Sequence, residues 1–464
     1  MEQQAFSEFH VTGFVLSKSG RSLQSLPLFL SKSIVVFSLL FLSLTARSQP
    51  AAKDLTLQSA IKAAIDSNRN VAIAVMDEEI ATSKYKQTQA VFLPQVCMSY
   101  SAMVTNNPLN AFGFKLQQQS IAAKDFDPYL LNHPDATPDF MTRVEVQQPL
   151  VNMDRLYERK SALKQSELYQ YKTQRTREFI SLQVQQAYLQ LQLAYEGKKV
   201  LDESLKTVNA IHKFTSDRYN QGLLQKSDLL NVEVQSKSIE SNIAEAESNI
   251  KNASDNLSLL MNLPTGIIYK TDAFADAVTN IPLTDSLPAN RSDFKAMEIA
   301  IQSYDLAIKS TRKSNLPRLN AFANYQLNDK NMFGFGSNAY MAGLQLSWDV
   351  FKGNQSKNNI NTQTLEQQKM VSELAKQKEE GDLDLQKTQR QLADAAFKIS
   401  QQKQAVQLAD EALRILQNRY SQGLVNTTDV LTAQTQLSQQ KLMYQQAIYA
   451  SNVTGAYLQY LTTK

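Results

Sequence analysis

The spacing of apolar residues changes twice in the first third of the chain. Over 54–92 they recur every three or four positions, which predicts a helix that ends before Pro94. Over 96–104 and again over 140–150 they alternate with polar residues, which predicts two strands with one apolar and one polar face each. The proline-rich stretch 105–138 between them is typical of a long surface loop.

A far longer helical run begins near residue 152. Its apolar residues follow the heptad pattern of a coiled coil: Ile180, Val184, Ala187, Leu191, Ala194, Leu201, Leu205 and Val208. No proline lies between Pro149 and Pro264, and a helix over 152–219 would be about 100 Å long at a rise of about 1.5 Å per residue. A return helix to about residue 260 completes a predicted helical hairpin.

The second half of the chain follows the same order of elements. A helix at 291–315 ends before Pro317, two alternating stretches follow, and a second long proline-free run completes the half. The sequence therefore predicts an internal duplication. The predicted boundaries are 49–290 for the first repeat, with strand pair 95–150, hairpin 152–260 and linker 261–290, and 291–464 for the second repeat, with strand pair 318–351 and hairpin 355–462.

Each hairpin contains the same short turn. The segment 218–230 matches 419–431 without a gap at seven of thirteen positions. Each copy has a glycine suited to the left-handed conformation that ends a helix: Gly222 and Gly423. Each also has an aspartate in the first turn of the next helix, where a carboxylate complements the helix dipole by about 0.3–1 kcal/mol: Asp228 and Asp429.

Composition narrows the function classes. The net charge of +4 comes from 48 basic and 44 acidic residues, so there is no electrostatic case for nucleic-acid binding. One cysteine, Cys97, excludes an intrachain disulfide. The three histidines lie far apart, and no metal-ligand spacing, phosphate loop or nucleophile motif occurs in the sequence. We therefore predict neither an enzyme nor a cofactor or metal.

The N-terminus has the pattern of an export signal. The apolar run 34–44 follows Lys32 and precedes small residues within 46–48. It is shorter than the roughly 20 residues that span a bilayer and is typical of a secretory signal peptide. We predict that 1–48, an extended preface and the signal peptide, is removed.

The four predicted two-faced strands need a partner. Four strands cannot close a barrel, and an open sheet in a membrane leaves unsatisfied edges. Three copies would give twelve strands, within the range of outer-membrane barrels, with Trp348 and Tyr100 suited to the aromatic girdles. The strands alone also fit a soluble sandwich, but the export signal and the long helices favour the barrel.

This arrangement resembles the TolC-like outer-membrane efflux proteins over nearly all of 54–464. The resemblance is carried by both turns and by short segments at the ends of helices and strands: Leu55–Ala60, Leu93-Pro94, Gln148-Pro149-Leu150 and Leu316-Pro317. It implies an α+β membrane protein in which three protomers close a twelve-strand outer-membrane β-barrel and an α-helical periplasmic barrel. It also implies a passive exit duct for a tripartite efflux pump or a type I secretion system.

The resemblance further implies roles for both turns at the periplasmic end. One set of residues would dock a periplasmic adaptor: Gln221, Gly222, Leu223, Gln422, Gly423 and Leu424. Another would form the entrance or gate: Tyr219, Asp228, Tyr420 and Asp429. Val425 and Thr432 stand where relatives carry charged residues. Closure would therefore rest on tyrosine–aspartate hydrogen bonds and packing.

The partners implied by the resemblance are two further copies of the chain, an adaptor, an inner-membrane pump of RND, ABC or MFS type, and outer-membrane lipid. The alternative class is a periplasmic coiled-coil adaptor or scaffold, which would also be exported, helical and hairpin-tipped. Such a protein needs one hairpin and soluble β-domains. Two hairpins alternating with two strand pairs favour the channel.

Overall fold

A computed structural model of the protein describes residues 52–274, 284 and 286–463. The predicted signal peptide lies outside the described residues, as do 275–283 and 285 of the predicted linker. Long helical hairpins and an antiparallel sheet make up most of the described chain, in the order that the apolar spacing predicts.

Within the described residues, six strands form two sheets. The strands are β1 (Lys53–Leu55), β2 (Gln95–Thr105), β3 (Thr137–Val151), β4 (Tyr269–Thr271), β5 (Arg318–Asp329) and β6 (Ser337–Ser347). The larger sheet is antiparallel in the order β2-β3-β5-β6, so β2 and β6 are its edges. β1 and β4 form a short parallel pair that the sequence pattern did not predict.

Nine helices lie in the same described residues. They are α1 (Leu57–Ser67), α2 (Arg69–Gln87), α3 (Pro108–Gln117), α4 (Pro128–Asn132), α5 (Met153–Asn220), α6 (Lys226–Leu260), α7 (Ser292–Lys313), α8 (Gln355–Ser421) and α9 (Thr427–Thr462). α5 has 68 residues and α8 has 67, so each is about 100 Å long. Hairpins α5–α6 and α8–α9 match the predicted hairpins closely.

The single helix predicted over 54–92 is wrong. It is divided into β1, α1, α2 and a 3₁₀ turn, Thr88–Phe92. Asn68 has an extended backbone, and its side-chain oxygen accepts a hydrogen bond from the Asn70 N–H at 2.8 Å. This N-cap ends α1 and starts α2, because an asparagine cap satisfies a backbone donor that the helix leaves free.

The stretch 105–138 is more ordered than its prolines suggested. It contains α3, a 3₁₀ turn at Ala123–Phe126, and α4. Pro108 and Pro128 each begin a helix, after Asn107 and Asp127, whose side chains accept backbone hydrogen bonds. Proline is tolerated at the first helical position because the N–H it lacks would be unpaired there. The prolines start helices here and do not mark an irregular loop.

The larger sheet has one apolar and one polar face, as the alternation predicts. One row across the four strands is Met98, Val144, Tyr325 and Tyr340, and the next row is Ser99, Arg143, Gln326 and Ala339. Tyr340 is 83% exposed, so the apolar face is uncovered in the protomer. β6 ends at Ser347, so Trp348 and Val350, which the pattern assigned to the strand, lie beyond it.

Helix α5 organises the helical packing. It contacts α1, α2, α6, α7 and α9, while α8 packs on α7 and α9. Five residues of the predicted heptad pattern are buried: Ile180, Val184, Ala187, Leu191 and Val208. In the part of the chain that the structure describes, no helix combines the length and apolarity needed to cross a membrane.

Candidate functional site at the helical tips

The two turns close in the same way. In the first, the N–H of Leu223 donates to the Arg218 carbonyl at 2.9 Å and the N–H of Gly222 donates to the Tyr219 carbonyl at 2.8 Å. In the second, the equivalent bonds from Leu424 and Gly423 are both 2.9 Å. Gly222 has φ 74° and Gly423 has φ 76°, the left-handed geometry that this C-terminal motif requires. We call the segments 218–228 and 419–429 the first and second tips.

Each tip is also closed at the start of its return helix. The Asp228 carboxylate accepts a hydrogen bond from the Gln225 N–H, and Asp429 accepts one from the Asn426 N–H, each at 3.2 Å. These bonds pair backbone donors that a helix start leaves free. Both aspartates therefore have the capping role that their position suggests, and each keeps one oxygen free of this bond.

The two tip tyrosines differ. The Tyr420 side chain is only 5% exposed, and its hydroxyl is hydrogen-bonded to the hydroxyls of Thr215 and Thr427, each at 2.8 Å. Its ring lies 5.1 Å from that of Phe214. Tyr219, at the same position of the first tip, is half-buried. Tyr420 thus joins α8, α9 and α5, and its hydroxyl pairs with threonines where a bond to aspartate was expected.

Arg218 links the two tips, a role that the sequence pattern did not reveal. Its Nη2 donates to the Ser421 carbonyl at 2.8 Å, and its guanidinium lies 4.8 Å from the ring centre of Phe214. A cation at the C-terminal end of α8 is favoured by the helix dipole. The arginine recurs as Arg419, so the repeat alone could not distinguish which copy makes the bridge.

Above the tips, a groove of about 680 Å³ lies between α5, α8 and α9. Apolar side chains such as Ile211, Leu413 and Leu437 line it. Lys441 on its rim pairs with Glu203 at 2.9 Å.

Each tip has one exposed leucine, Leu223 at 64% and Leu424 at 61%. Gln221 and Gln422 are exposed beside them. This end of the protein therefore has an apolar groove and apolar points available for a helical partner.

Of the two aromatic residues expected in a membrane girdle, Tyr100 lies on the sheet and Trp348 lies just beyond β6, both far along the chain from the tips. Tyr100 is in the middle of β2 on the apolar face, with its ring 5.3 Å from Phe333 and 6.5 Å from Phe140. The Phe333 N–H donates to the Tyr100 hydroxyl at 3.2 Å. Trp348 follows β6, where its indole N–H donates to the Asn315 carbonyl at 2.9 Å. Trp348 therefore marks the helix end of the sheet, while Tyr100 supports the β5–β6 loop.

Among residues 52–274, 284 and 286–463, no group of three or more histidine, cysteine or acidic side chains could hold a metal ion. The tips bring together hydroxyls, an arginine and capping carboxylates, which suit packing and docking.

Paired, tipped hairpins continuing from a two-faced antiparallel sheet define the class of outer-membrane channel proteins with long helical extensions. The chain belongs to the outer membrane efflux protein family, whose model matches residues 60–263 and 283–459. The resemblance found in the sequence is thereby confirmed, and the family consists of channels and not of enzymes. No curated protein sequence matches the chain.

Solved structures of outer-membrane channels have the same fold. A structure of CusC has a TM-score of 0.74 at 17% identity, covering 90% of this chain and 96% of that one. VceC from Vibrio cholerae has a TM-score of 0.69 at 16% identity, covering 87% of this chain and 95% of that one. The open state of MtrE from Neisseria gonorrhoeae has a TM-score of 0.67 at 16% identity, covering 88% and 89%.

Proposed function

We propose that three copies of this chain form an outer-membrane exit duct that passively carries substrates from a periplasmic adaptor and an inner-membrane pump to the outside. The observation that carries this proposal is the larger sheet. β2 and β6 are unpaired edges, and one face is apolar and uncovered. A sheet can enter lipid only when its edges are paired, because the bilayer core offers no water to the backbone.

Three copies would supply this pairing. Each edge β6 would pair with β2 of the next copy, which gives twelve antiparallel strands. The apolar row containing Met98 and Tyr340 would then face lipid, and the polar row containing Ser99 and Gln326 would face the lumen. Because α8 follows β6 and α2 precedes β2, the same pairing places helices of neighbouring copies side by side.

The tips would form the periplasmic entrance. We propose that residues 219–225 and 420–426 dock the hairpins of a periplasmic adaptor, with Leu223 and Leu424 as apolar contacts. Tyr420 and the Arg218 bridge would hold the two tips of one protomer together. Asp228 and Asp429 would add negative charge around the entrance while they cap their helices.

The adaptor or scaffold alternative finds less support. Such a protein has one hairpin, whereas this chain has two that alternate with the strands of one two-faced sheet. The cargo could be delivered by a tripartite pump or by a type I secretion system, since both use a duct of this kind.

Fractionation combined with native mass spectrometry tests the proposal. We expect the protein in the detergent-extracted outer membrane, at the mass of three mature chains. Recovery in the soluble periplasm as a monomer would support the scaffold alternative and end the channel proposal. The variant Tyr340→Lys places a charge on the apolar face of β6, three residues from its loop end, and should reduce membrane assembly, because a lysine facing lipid costs up to about 2–4 kcal/mol, depending on depth. Ala339→Lys, one residue earlier on the polar face, should assemble normally.

A further inference from the structure

Residues 106–136, which connect β2 to β3, fold onto the polar face of the sheet. We call this segment the cap. Its hydrogen bonds reach β3, β5 and β6: the Gln118 amide donates to the Pro138 carbonyl at 2.7 Å and to Asp139 Oδ1 at 2.9 Å, the Asn328 amide donates to Gln117 Oε1 at 3.5 Å, and the Ser337 hydroxyl donates to the Gln117 carbonyl. Asp139 and Ser337 belong to the polar rows of the sheet.

These contacts require α3 to cross the strands. The helix begins just after β2 ends, and its last residue touches β6. From β2 to β6 there are three strand spacings of about 4.8 Å, or about 14 Å. The 10 residues of α3 span about 15 Å. The helix therefore lies across all four strand ends on their polar side.

The cap is held by a buried polar network. Asp139 is fully buried, and its second oxygen accepts a hydrogen bond from the Asn328 amide at 2.9 Å. Asn328 is 1% exposed, and its carbonyl accepts from the Ser337 hydroxyl at 2.9 Å. Within the cap, Lys115 pairs with Asp125 at 2.9 Å. Loss of either hydrogen bond would leave an unpaired oxygen on a buried carboxylate, which is costly in free energy. The cap is therefore a fixed part of the protomer.

We propose that the cap is a constriction at the outer mouth that limits the size of what leaves the duct. This inference rests on the proposed function, in which the polar face lines the lumen. Twelve strands about 4.8 Å apart and tilted by about 40° enclose a mouth about 24 Å across. A helix with its side chains is about 10 Å thick, so three caps projecting from the wall leave only a narrow path at the centre.

The single cysteine provides a probe below the cap. Cys97 is exposed on the polar face of β2, paired with Glu145. It lies eight residues from the end of β2 at Thr105, or about 26 Å along the strand at about 3.3 Å per residue. Intact cells can be treated with a small charged methanethiosulfonate or with a bulky polyethylene-glycol maleimide, neither of which crosses lipid. The Cys97→Ser variant, which has no thiol, measures the background labelling.

Two kinds of variant release the cap. One replaces 107–135 with a short glycine-serine turn, and the other combines Gln118→Ala with Asn328→Ala. We expect the small reagent to reach Cys97 in the unaltered protein and the bulky one to be excluded. The bulky reagent should label both variants about tenfold faster or more, since hydrogen bonds to a carboxylate contribute at least that factor. Asn132→Ala, on the exposed part of the cap away from the sheet, should behave as the unaltered protein.

The outcomes separate the two proposals. Equal labelling by the bulky reagent with and without the cap, whether fast or absent, overturns the constriction and leaves the duct standing. Failure of the small reagent to reach Cys97 in every form, including the cap-free one, would mean that the polar face does not open to the outside, and the proposed function itself would fall. If the deletion does not reach the membrane, the double point variant decides.

Discussion

Equivalent residues of the two tips have diverged in what they contact. Arg218 reaches the second tip, while the side chain of Arg419 is exposed. Tyr420 is buried between two threonines, while Tyr219 is half-buried. The repeat in the sequence identifies the positions, but it cannot show which copy bridges, because that depends on how the hairpins lie side by side.

Tyr420→Phe should loosen the second tip. The substitution keeps the ring and removes a hydroxyl that pairs with Thr215 and Thr427, which costs about 1 kcal/mol. Amides of 421–428 should then exchange about fivefold faster in hydrogen–deuterium exchange. Tyr219→Phe is the matched control and should change exchange little, and equal effects of both substitutions would contradict the bridging role.

The charge and the capping function of the tip aspartates can be separated. Asparagine at 228 and 429 can still accept the capping hydrogen bond but carries no charge. Asp228→Asn with Asp429→Asn should therefore lower the cation selectivity of the channel in planar bilayers without destabilising the tips. The corresponding alanine pair should also destabilise each helix start by about 1 kcal/mol. Unchanged selectivity in both pairs would leave the aspartates as caps alone.

Among the helices and strands, those with the longest sequence patterns were predicted best. The hairpins were predicted closely because their heptad spacing and lack of proline extend over tens of residues. The break at Asn68 and the helices of the cap were missed, because asparagine caps and N1 prolines also occur in loops. The β1–β4 pair was missed since its three-residue strands lie more than 200 residues apart.

The start of α7 is held by a charged cluster whose strength depends on pH. Asp293 accepts two hydrogen bonds of 2.7 Å from Arg291 and one of 3.0 Å from Gln377 on α8. Burial would raise the pKa of the Asp293 carboxyl, but Arg291, with the nearby charge of Arg175, holds that pKa below its usual range. The folded protein thus binds this proton more weakly than the unfolded chain does.

This stabilisation is present above the unfolded pKa of about 3.9 and is lost as pH falls through the lower folded pKa. Asp293→Asn should therefore cost about 2 kcal/mol at neutral pH, and the cost should shrink below about pH 4. Thermal unfolding against pH measures this. Asp305→Asn, whose pair with Lys309 is exposed, should cost far less, and a pH-independent cost for Asp293→Asn would contradict the linkage.

At the scale of the whole molecule, the proposed duct fixes the depth of the sheet in lipid. β5 has 12 residues and, tilted by about 40°, rises about 30 Å, close to the thickness of a bilayer core. Trp348 lies at the end of the sheet that leads into the helices, and Phe333 lies in the β5–β6 loop at the opposite end. What the protomer's sequence could not provide is closure, because in the proposed duct the partner of each edge strand would belong to another copy.

Nitroxide-labelled lipids can measure these depths, because Trp348 is the only tryptophan of the chain. Its fluorescence should be quenched best by a nitroxide near the headgroup. In a Trp348→Phe background, Phe333→Trp should show the same shallow pattern, while Tyr340→Trp within β6 should be quenched best by a nitroxide deep in the acyl chain. A shallow pattern at all three positions would place the sheet outside the bilayer.

Conductance of the purified outer-membrane protein in planar bilayers tests directly whether three copies enclose a continuous water-filled path. We expect discrete conductance steps, which rise when Arg218→Ala and Tyr420→Phe release the bond between the tips. A protein that inserts as a trimer but leaves the bilayer at its bare conductance, with or without these substitutions and with or without the cap, would contradict it.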